Sequence, residues 1–407
     1  MRAFTQSSLV AIITHMKTLN DIENLKSVKV LVRVDFNVPI RNGAVADDTR
    51  IKAAMPTIDF LRAKGARVIL ISHLESNDGS IPSLQPVADH LKLKIGLPVM
   101  FVKNIRAAND LIENELQESQ CMLLENLRFF DGEKANDQKF AKELASLADI
   151  YVNEAFSVCH REHASIVSVP KYLPSYAGLE LEKEIDNLSK AFNPPHPFLF
   201  ILGGAKFETK LPLLSKFIEI ADTVFVGGAL ANDLFKAKGY EVGKSLVSDL
   251  GDSSHHPSAG GADTINDLAK YVNNPKLLLP IDVTVEDKSV KSPDSLSSID
   301  EIKDSGPKTI ALLQDKINAS KFILWNGPLG VYEDGYRQPT LDLARMIGEA
   351  TAHGAETIVG GGDTLAAVAS LGLSDKFSFV STAGGAMLDF LAKGTLPGIQ
   401  ALNISDA

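Results

Sequence analysis

From residue 28 onward, short runs of β-branched and aliphatic residues alternate with longer stretches whose apolar positions recur at helical spacing. That alternation is the signature of βαβ units around a mostly parallel sheet, so the chain reads as α/β. Candidate strands in the first half are Val28–Val34, Arg67–Ser72, Pro98–Val102, Cys121–Leu124 and Asp149–Val152. Between the first two, Arg50–Gly65 places Ile51, Ala54, Met55, Ile58 and Leu61 on one helical face. Asp47, Asp48 and Thr49 are its candidate caps and Gly65 its stop.

The second half repeats the scheme with Phe198–Leu202, Thr223–Val226, Lys276–Pro280, Phe322–Trp325, Thr357–Val359 and Ser378–Val380. Two similar sheets imply two domains, and 407 residues have room for them. A charged helix over Leu179–Phe192 is stopped by Asn193-Pro194-Pro195-His196-Pro197, which marks the break. The polar Ser248–Gly261 stretch reads as a surface loop insertion, and no tandem repeat supports a solenoid.

Charge and cysteine content exclude several function classes. Against 51 acidic residues stand 41 basic ones, a formal charge of −10, which is not the basic footprint of a nucleic-acid binder. Cys121 and Cys159 give neither a disulfide framework nor a zinc ribbon, which fits a reducing cytoplasm. Apolar runs are strand-sized, as in Phe198–Leu202, and far short of a membrane span. Residues 1–15 lack a secretory core and cleavage pattern, so they read as a disordered extension or a mis-called start ahead of Met16.

Glycine clusters follow the strands of the second half: Gly203-Gly204-Ala205-Lys206, Gly227-Gly228, Asn326-Gly327-Pro328-Leu329-Gly330 and Gly360-Gly361-Gly362-Asp363-Thr364. At the carboxyl ends of parallel strands, glycines let backbone N–H groups and helix N-termini approach phosphates. One Gly-Gly after a strand is as often a mere turn, but four clusters on one sheet point to a nucleotide site. The usual fingerprints are missing. Gly239-Tyr-Glu-Val-Gly243-Lys244-Ser245 is one residue short of a phosphate-binding loop, and no G-x-G-x-x-G follows the first strand.

The first half carries cations instead. Asp35-Phe36-Asn37, Arg50, His73, Arg128 and Arg161 stand at or just after its strand ends. A single arginine is ordinarily a solvated surface charge, but three with a histidine and an amide make a pocket for a small polyanion, because guanidinium forks match phosphate and carboxylate geometry. Cys159-His160-x-x-His163 lacks a fourth ligand and is not read as a zinc site.

Arg33-Val-Asp-Phe-Asn-Val-Pro39, Leu124-Glu-Asn-Leu-Arg-Phe129, His160-Arg-Glu-His-Ala-Ser165, Gly203-Gly-Ala-Lys206, Trp325-Asn-Gly-Pro-Leu-Gly-Val331, Gly360-Gly-Gly-Asp-Thr364 and Leu396-Pro-Gly398 together resemble the phosphoglycerate kinase family, in order from about Met16 to Leu402. The resemblance implies two doubly wound, Rossmann-like parallel-sheet domains joined by a hinge. Residues 16–190, with the terminal segment 394–407, would bind phosphoglycerate, and 191–393 would bind nucleotide. The implied reaction is reversible Mg²⁺-dependent phosphoryl transfer between ATP and the carboxylate of 3-phosphoglycerate, in a cytoplasmic monomer with no nucleic-acid or membrane partner.

Carried over by position, the resemblance gives Asp35, Phe36, Asn37, Arg50, His73, Arg128 and Arg161 to the phosphoglycerate. It gives Gly203, Ala205, Lys206, Lys210, Gly228, Asn326, Gly330, Gly360, Gly361, Gly362 and Thr364 to the nucleotide, Glu333 to the ribose, and Asp363 to Mg²⁺. Arg50, Lys206 and Lys210, with backbone amides at Gly384 and Gly385, would surround the transferring phosphoryl group.

The sequence also departs from the family pattern. His-Leu-Gly-Arg-Pro is here His73-Leu74-Glu75-Ser76-Asn77, replacing an arginine by Ser76 and adding an acid at Glu75. Ala229, Ala383 and Ser157 replace glycines, and Thr209 replaces an aspartate. An added methyl is tolerated where φ is negative and costs about a kcal/mol or more where it is positive. These changes define an alternative expectation, a phosphoglycerate-kinase-like nucleotide-binding protein with impaired turnover.

Overall fold

The computed structural model describes residues 16–76, 78–205, 207–248 and 265–403. The expectations for residues 1–15, for Asn77 and for nearly all of the 248–261 insertion therefore lie outside the described residues. Two compact units divide the chain: Met1–Asp186 with Lys393–Ala407, and Asn187–Ala392.

Unit 1 is built on six parallel strands, β1 (Lys29–Arg33), β2 (Arg67–Ile71), β3 (Val99–Val102), β4 (Cys121–Leu124), β5 (Ile150–Asn153) and β6 (Ser175–Ala177), in the order β3-β4-β2-β1-β5-β6. Val30, Leu31 and Val32 are fully buried, as a central strand covered on both faces requires. The crossover from β1 to β2 is helix α1 (Thr49–Ala63), which buries Ile51, Ala54, Ile58 and Leu61. Asp47 rather than Asp48 secures its start, accepting from the Thr49 N–H at 2.9 Å and hydroxyl at 2.6 Å. The helix Pro397–Leu402 returns to this unit, where the Gly398 N–H donates to the Cys159 carbonyl at 2.8 Å.

Unit 2 carries β7 (Phe198–Leu202), β8 (Thr223–Val226), β9 (Leu277–Leu278), β10 (Phe322–Asn326), β11 (Glu356–Gly360) and β12 (Phe379–Ser381), all parallel, in the order β9-β8-β7-β10-β11-β12. Phe198, Phe200, Phe217 and Phe322 pack edge-on or tilted at centroid distances of 4.8 to 6.0 Å. Each such ring contributes about 1.5–3 kcal/mol by burial. Helix α2 (Leu179–Ser189) tightens into a 3₁₀ turn over Lys190–Phe192 before the proline-rich break. The helices α3 (Phe207–Ile220), α4 (Ala229–Ala237), α5 (Gly362–Ser370) and α6 (Gly385–Lys393) each start just beyond a strand end.

Two features differ from the sequence expectation. The run Lys276–Pro280 supplies only the two-residue strand β9, since it lies at the sheet edge, paired to β8 alone, and Pro280 has no N–H to give. Val283–Val285, Val290–Lys291 and Ile302–Ser305 form an additional antiparallel sheet whose short, mixed strands carry no clear period.

Candidate functional site

In unit 1 the strand order reverses between β1 and β5, and a crevice at such a switch point is where open α/β sheets bind ligands. The segments leaving β1, β2, β4 and β5 supply Asp35 to Asn37, His73 to Glu75, Arg128, and Arg161 with His163. Arg50, in the first turn of α1, places Nη1 3.0 Å from Asp35 Oδ2 and donates to the Asn37 carbonyl at 3.1 Å. Asp35 also accepts from the Asn37 N–H at Oδ1, at 3.0 Å, and from the Ser157 hydroxyl at Oδ2. It thereby fixes Arg50 and the β1 exit, and Oδ1 keeps capacity for a further donor. The Phe36 side chain is fully buried in the core, and its N–H donates to Ser72 Oγ at 2.9 Å.

His73 is buried and accepts at Nδ1 from Arg33 Nη2 at 3.2 Å, since an arginine only donates. Burial, reinforced by the charges of Arg33, Arg128, Arg161 and Arg50, holds its pKa well below the usual histidine value. The imidazole is thus neutral at pH 7. Arg33 is itself fully buried and donates through Nε to Ser165 Oγ at 2.9 Å, while Ser165 donates its hydroxyl and N–H to Glu133 at 2.6 and 2.9 Å. Glu133 balances a buried cation through one intervening hydroxyl.

Arg128 lies beside this network with its side chain inaccessible to solvent. Nε donates to Glu75 Oε1 at 2.7 Å, Nη1 donates to His163 Nδ1 at 3.2 Å, and Nη2 is buried with no hydrogen-bond partner. Burial, again with Arg128, Arg161 and Arg33, pushes the His163 pKa down to about 4. Glu75 also faces Lys134 at 3.3 Å and Arg161 at 3.8 Å. Burial alone would raise the Glu75 pKa, but Arg128, Lys134 and Arg161 outweigh it and hold the carboxyl below the usual range. Of the two departures in this loop, Glu75 thus points into the cationic cluster and Ser76 is exposed.

In unit 2 the order reverses between β7 and β10, and their exits cross at close range. The Gly203 N–H donates to the Asn326 carbonyl at 2.8 Å and the Gly204 N–H to the Pro328 carbonyl at 2.9 Å. Lys210 is buried in α3 and donates to the Gly203 carbonyl. Asn326 donates to the Gly360 carbonyl at 2.9 Å, and Thr364 Oγ1 accepts from the Gly327 N–H at 2.9 Å. Both side chains therefore tie the strand exits together. Trp325 Nε1 donates to the Gly327 carbonyl at 2.9 Å.

A cavity of about 260 Å³ opens beside this crossing, lined by Ala205, Gly228, Gly330, Glu333 and Asp363. Its far wall was not foreseen: Asn232 and Leu246 stand there with Ile302 to Asp304 of the antiparallel sheet. Asp304 has one carboxylate oxygen bonded to the Ser305 N–H at 2.8 Å and the other buried without a partner, and burial pushes its pKa up to about 8. Asp363 is exposed in the first turn of α5, and Gly362 beside it is exposed too. Among the described residues no cluster of three histidine, cysteine or acidic groups could hold an ion by itself. Lys206 lies outside the described residues.

The substituted glycines prove mild. Ala229 is the first helical residue of α4, after Gly228 has taken the left-handed turn at φ 62°. Ala383 and Ser157 likewise have no positive φ, which falls instead on Gly384 at 56°. Helix α6 begins one residue later, so the N–H groups of its first turn lack intrahelical partners. The sequence alone gives no site role to Arg33, Glu133, Ser165 or His163, although Arg33, His163 and Ser165 lie within the family motifs and Arg33 sits inside the β-branched run Val28–Val34.

Comparison with known proteins agrees over nearly the whole chain. The family model described as phosphoglycerate kinase matches residues 19–394. The phosphoglycerate kinase of Dictyoglomus turgidum is 42% identical over 95% of this chain and 98% of its own length. That of Thermosipho africanus is 42% identical over 95% and 97%. Among solved structures, phosphoglycerate kinase from Coxiella burnetii superposes with a TM-score of 0.81 at 37% identity, covering 95% of this chain and 98% of that one.

Proposed function

The chain belongs to the phosphoglycerate kinase family and is a phosphotransferase acting on 3-phosphoglycerate and ATP, and from that premise we propose how its own residues divide the work. Unit 1 takes the phosphoglycerate, through Arg50, Arg128, Arg161, Asn37 and neutral His73. Unit 2 takes the nucleotide along Gly203, Gly204, Ala205, Gly228 and Gly330, with Glu333 facing the ribose.

The acceptor is a carboxylate already ionised at neutral pH, so no general base is needed. Catalysis then rests on in-line positioning and on neutralising charge as it spreads over the moving phosphoryl group. Arg50 suits that task because Asp35 and the Asn37 carbonyl hold its guanidinium in place before substrate arrives. Lys206, Lys210 and the backbone N–H groups of Gly384 and Gly385 would supply the remaining donors. Thr364 and Asn326 also fix the loops, and Phe36 and Asp35 shape the β1 exit.

Asp363 fits a Mg²⁺ site, since Mg²⁺ takes one or two carboxylates with substrate phosphates rather than a closed protein cage. Asp363 would hold the ion there, and a bound Mg²⁺ would supply positive charge to offset that of the nucleotide phosphates. Two buried free cysteines fit a reducing cytoplasm, and the acidic net charge is not that of a nucleic-acid binder.

The observation that carries this assignment is Arg50 fixed by Asp35 at the same switch point that gathers Arg128, Arg161 and His73. The experiment is a coupled assay with ATP and 3-phosphoglycerate. ADP formation that saturates in 3-phosphoglycerate and requires Mg²⁺ is expected, and nucleotide binding without such turnover would sink the reading.

A further inference from the structure

Glu75 stands where an anionic ligand of unit 1 would be expected. Its carboxylate bridges Arg128 Nε at 2.7 Å and Arg161 Nη1 at 3.8 Å, with Lys134 at 3.3 Å, and beside it Arg128 Nη2 is buried without a partner. Two guanidinium groups and an ammonium around one carboxylate is the arrangement that recognises a phosphate or a carboxylate.

The backbone of this loop is fixed independently of the carboxylate. The Glu75 N–H donates to Asn37 Oδ1 at 3.0 Å, and Asn126 clamps Leu74 through both its N–H at 3.1 Å and its carbonyl at 2.7 Å. The side chain is about one-third exposed, so it has room to leave by rotation while the loop stays in place. Arg128 has no such freedom, being inaccessible and tied to His163.

We propose that Glu75 is a specificity-determining residue whose carboxylate occupies the anion seat between Arg128 and Arg161, so that 3-phosphoglycerate binds only by displacing it. The inference rests on the reading that these arginines bind the phosphoglycerate. Displacing an internal anion lowers apparent affinity by the fraction of molecules in which the seat is open. It also raises selectivity, because a ligand with a single weak charge competes poorly with a tethered carboxylate, whereas one with several charges recovers the lost pairings elsewhere in the cluster.

The test is E75Q, which keeps shape and removes charge, alongside E75G, which removes the side chain and guards against an amide that still fills the seat. Thermal melts establish that each variant is folded. KM for 3-phosphoglycerate is expected to fall about three- to tenfold in both, with the gain in KM rather than kcat and with KM for ATP unmoved. Calorimetric titration of 3-phosphoglycerate should tighten by the same factor. A KM that stays the same or rises in both variants overturns the proposal, since Glu75 would then be idle or would orient the arginines for substrate. R128M separates this failure from failure of the underlying reading: a KM for 3-phosphoglycerate indifferent to Arg128 removes the site itself, whereas sensitivity to R128M with indifference to E75Q removes only the role of Glu75.

Discussion

Arg50 Nη1 sits 3.0 Å from Asp35 Oδ2, and Asp35 is in turn held by the Ser157 hydroxyl and the Asn37 N–H. A guanidinium fixed this way costs little reorganisation when charge builds on a phosphoryl group, so its value should appear at the transition state more than in ground-state binding. R50A is expected to lower kcat by about 10²–10³-fold while ATP affinity changes less than about twofold. D35N, which keeps the carbonyl oxygen but loses the charge, should lower kcat by a smaller factor. Steady-state kinetics with nucleotide calorimetry check both, and an R50A enzyme with wild-type kcat would remove Arg50 from the mechanism.

The division between legible and illegible parts follows from sequence separation. Strands such as Phe198–Leu202 are covered on both faces, so their apolar runs announce them, and the cations at their ends can be placed by counting from the strand. The roles of those cations were less visible. The position of Asp35 at a strand exit marks it as a site residue, but does not reveal that it holds Arg50 and accepts from Ser157, which is 122 residues away. The link from Arg33 to Ser165 spans 132 residues, and no local pattern encodes it. The direction of Glu75 was undecidable for the same reason, since a carboxylate beside an exposed serine is equally at home in solvent. The antiparallel strands of unit 2 failed on other grounds: two to four residues with lysine and aspartate among them show neither alternation nor a continuous apolar run.

Acid should destabilise unit 1 before its carboxylates titrate. His73 and His163 have folded pKa values below that of free histidine, the second at about 4, because burial and the surrounding arginines oppose a further positive charge. Below about pH 6.5 the unfolded chain takes up protons that the folded state refuses, so stability present above that pH is lost as pH falls towards 4. Each histidine contributes at most about 1.4 kcal/mol per pH unit to that slope. Urea unfolding between pH 4.5 and 7 should show the decline. H163N, whose amide oxygen can still accept from Arg128, should flatten it, and an unchanged slope in that variant would mean that His163 takes up its proton as readily in the folded as in the unfolded chain.

Gly228 and Ala229 make a matched pair for testing the nucleotide loop. Gly228 has φ 62°, and a Cβ there would lie 2.7 Å from the Gly204 backbone nitrogen and 2.9 Å from its carbonyl oxygen. G228A therefore adds left-handed strain to a backbone collision, at a cost of more than about 1 kcal/mol, and displaces the loop that lines the cavity. A229G, restoring a glycine at a helical φ, should change stability by under about 1 kcal/mol and in the destabilising direction. The expected result is weakened ADP binding and a lowered Tm in G228A with near wild-type ADP affinity in A229G. Higher activity in A229G would revive the idea that the alanine impairs turnover.

Trp325 offers a direct optical reading of the same crossing. It is the single tryptophan of the chain, fully buried at the end of β10, and its Nε1–H holds the Gly327 carbonyl at 2.9 Å while the Gly327 N–H is held by Thr364. A ligand whose phosphates draw on the α5 N-terminus must shift the field and the hydrogen bonding around that indole. ADP titration should therefore change tryptophan emission along a saturating curve whose Kd matches calorimetry. In W325F the indole N–H is lost, leaving the Gly327 carbonyl buried without its partner, which costs about 1–3 kcal/mol of stability. Because the same carbonyl fixes the β10 exit, W325F should also bind ADP several-fold more weakly while KM for 3-phosphoglycerate, a ligand of unit 1, moves less. Emission that ignores ADP, together with unaltered ADP affinity in W325F, would place the nucleotide away from this strand end.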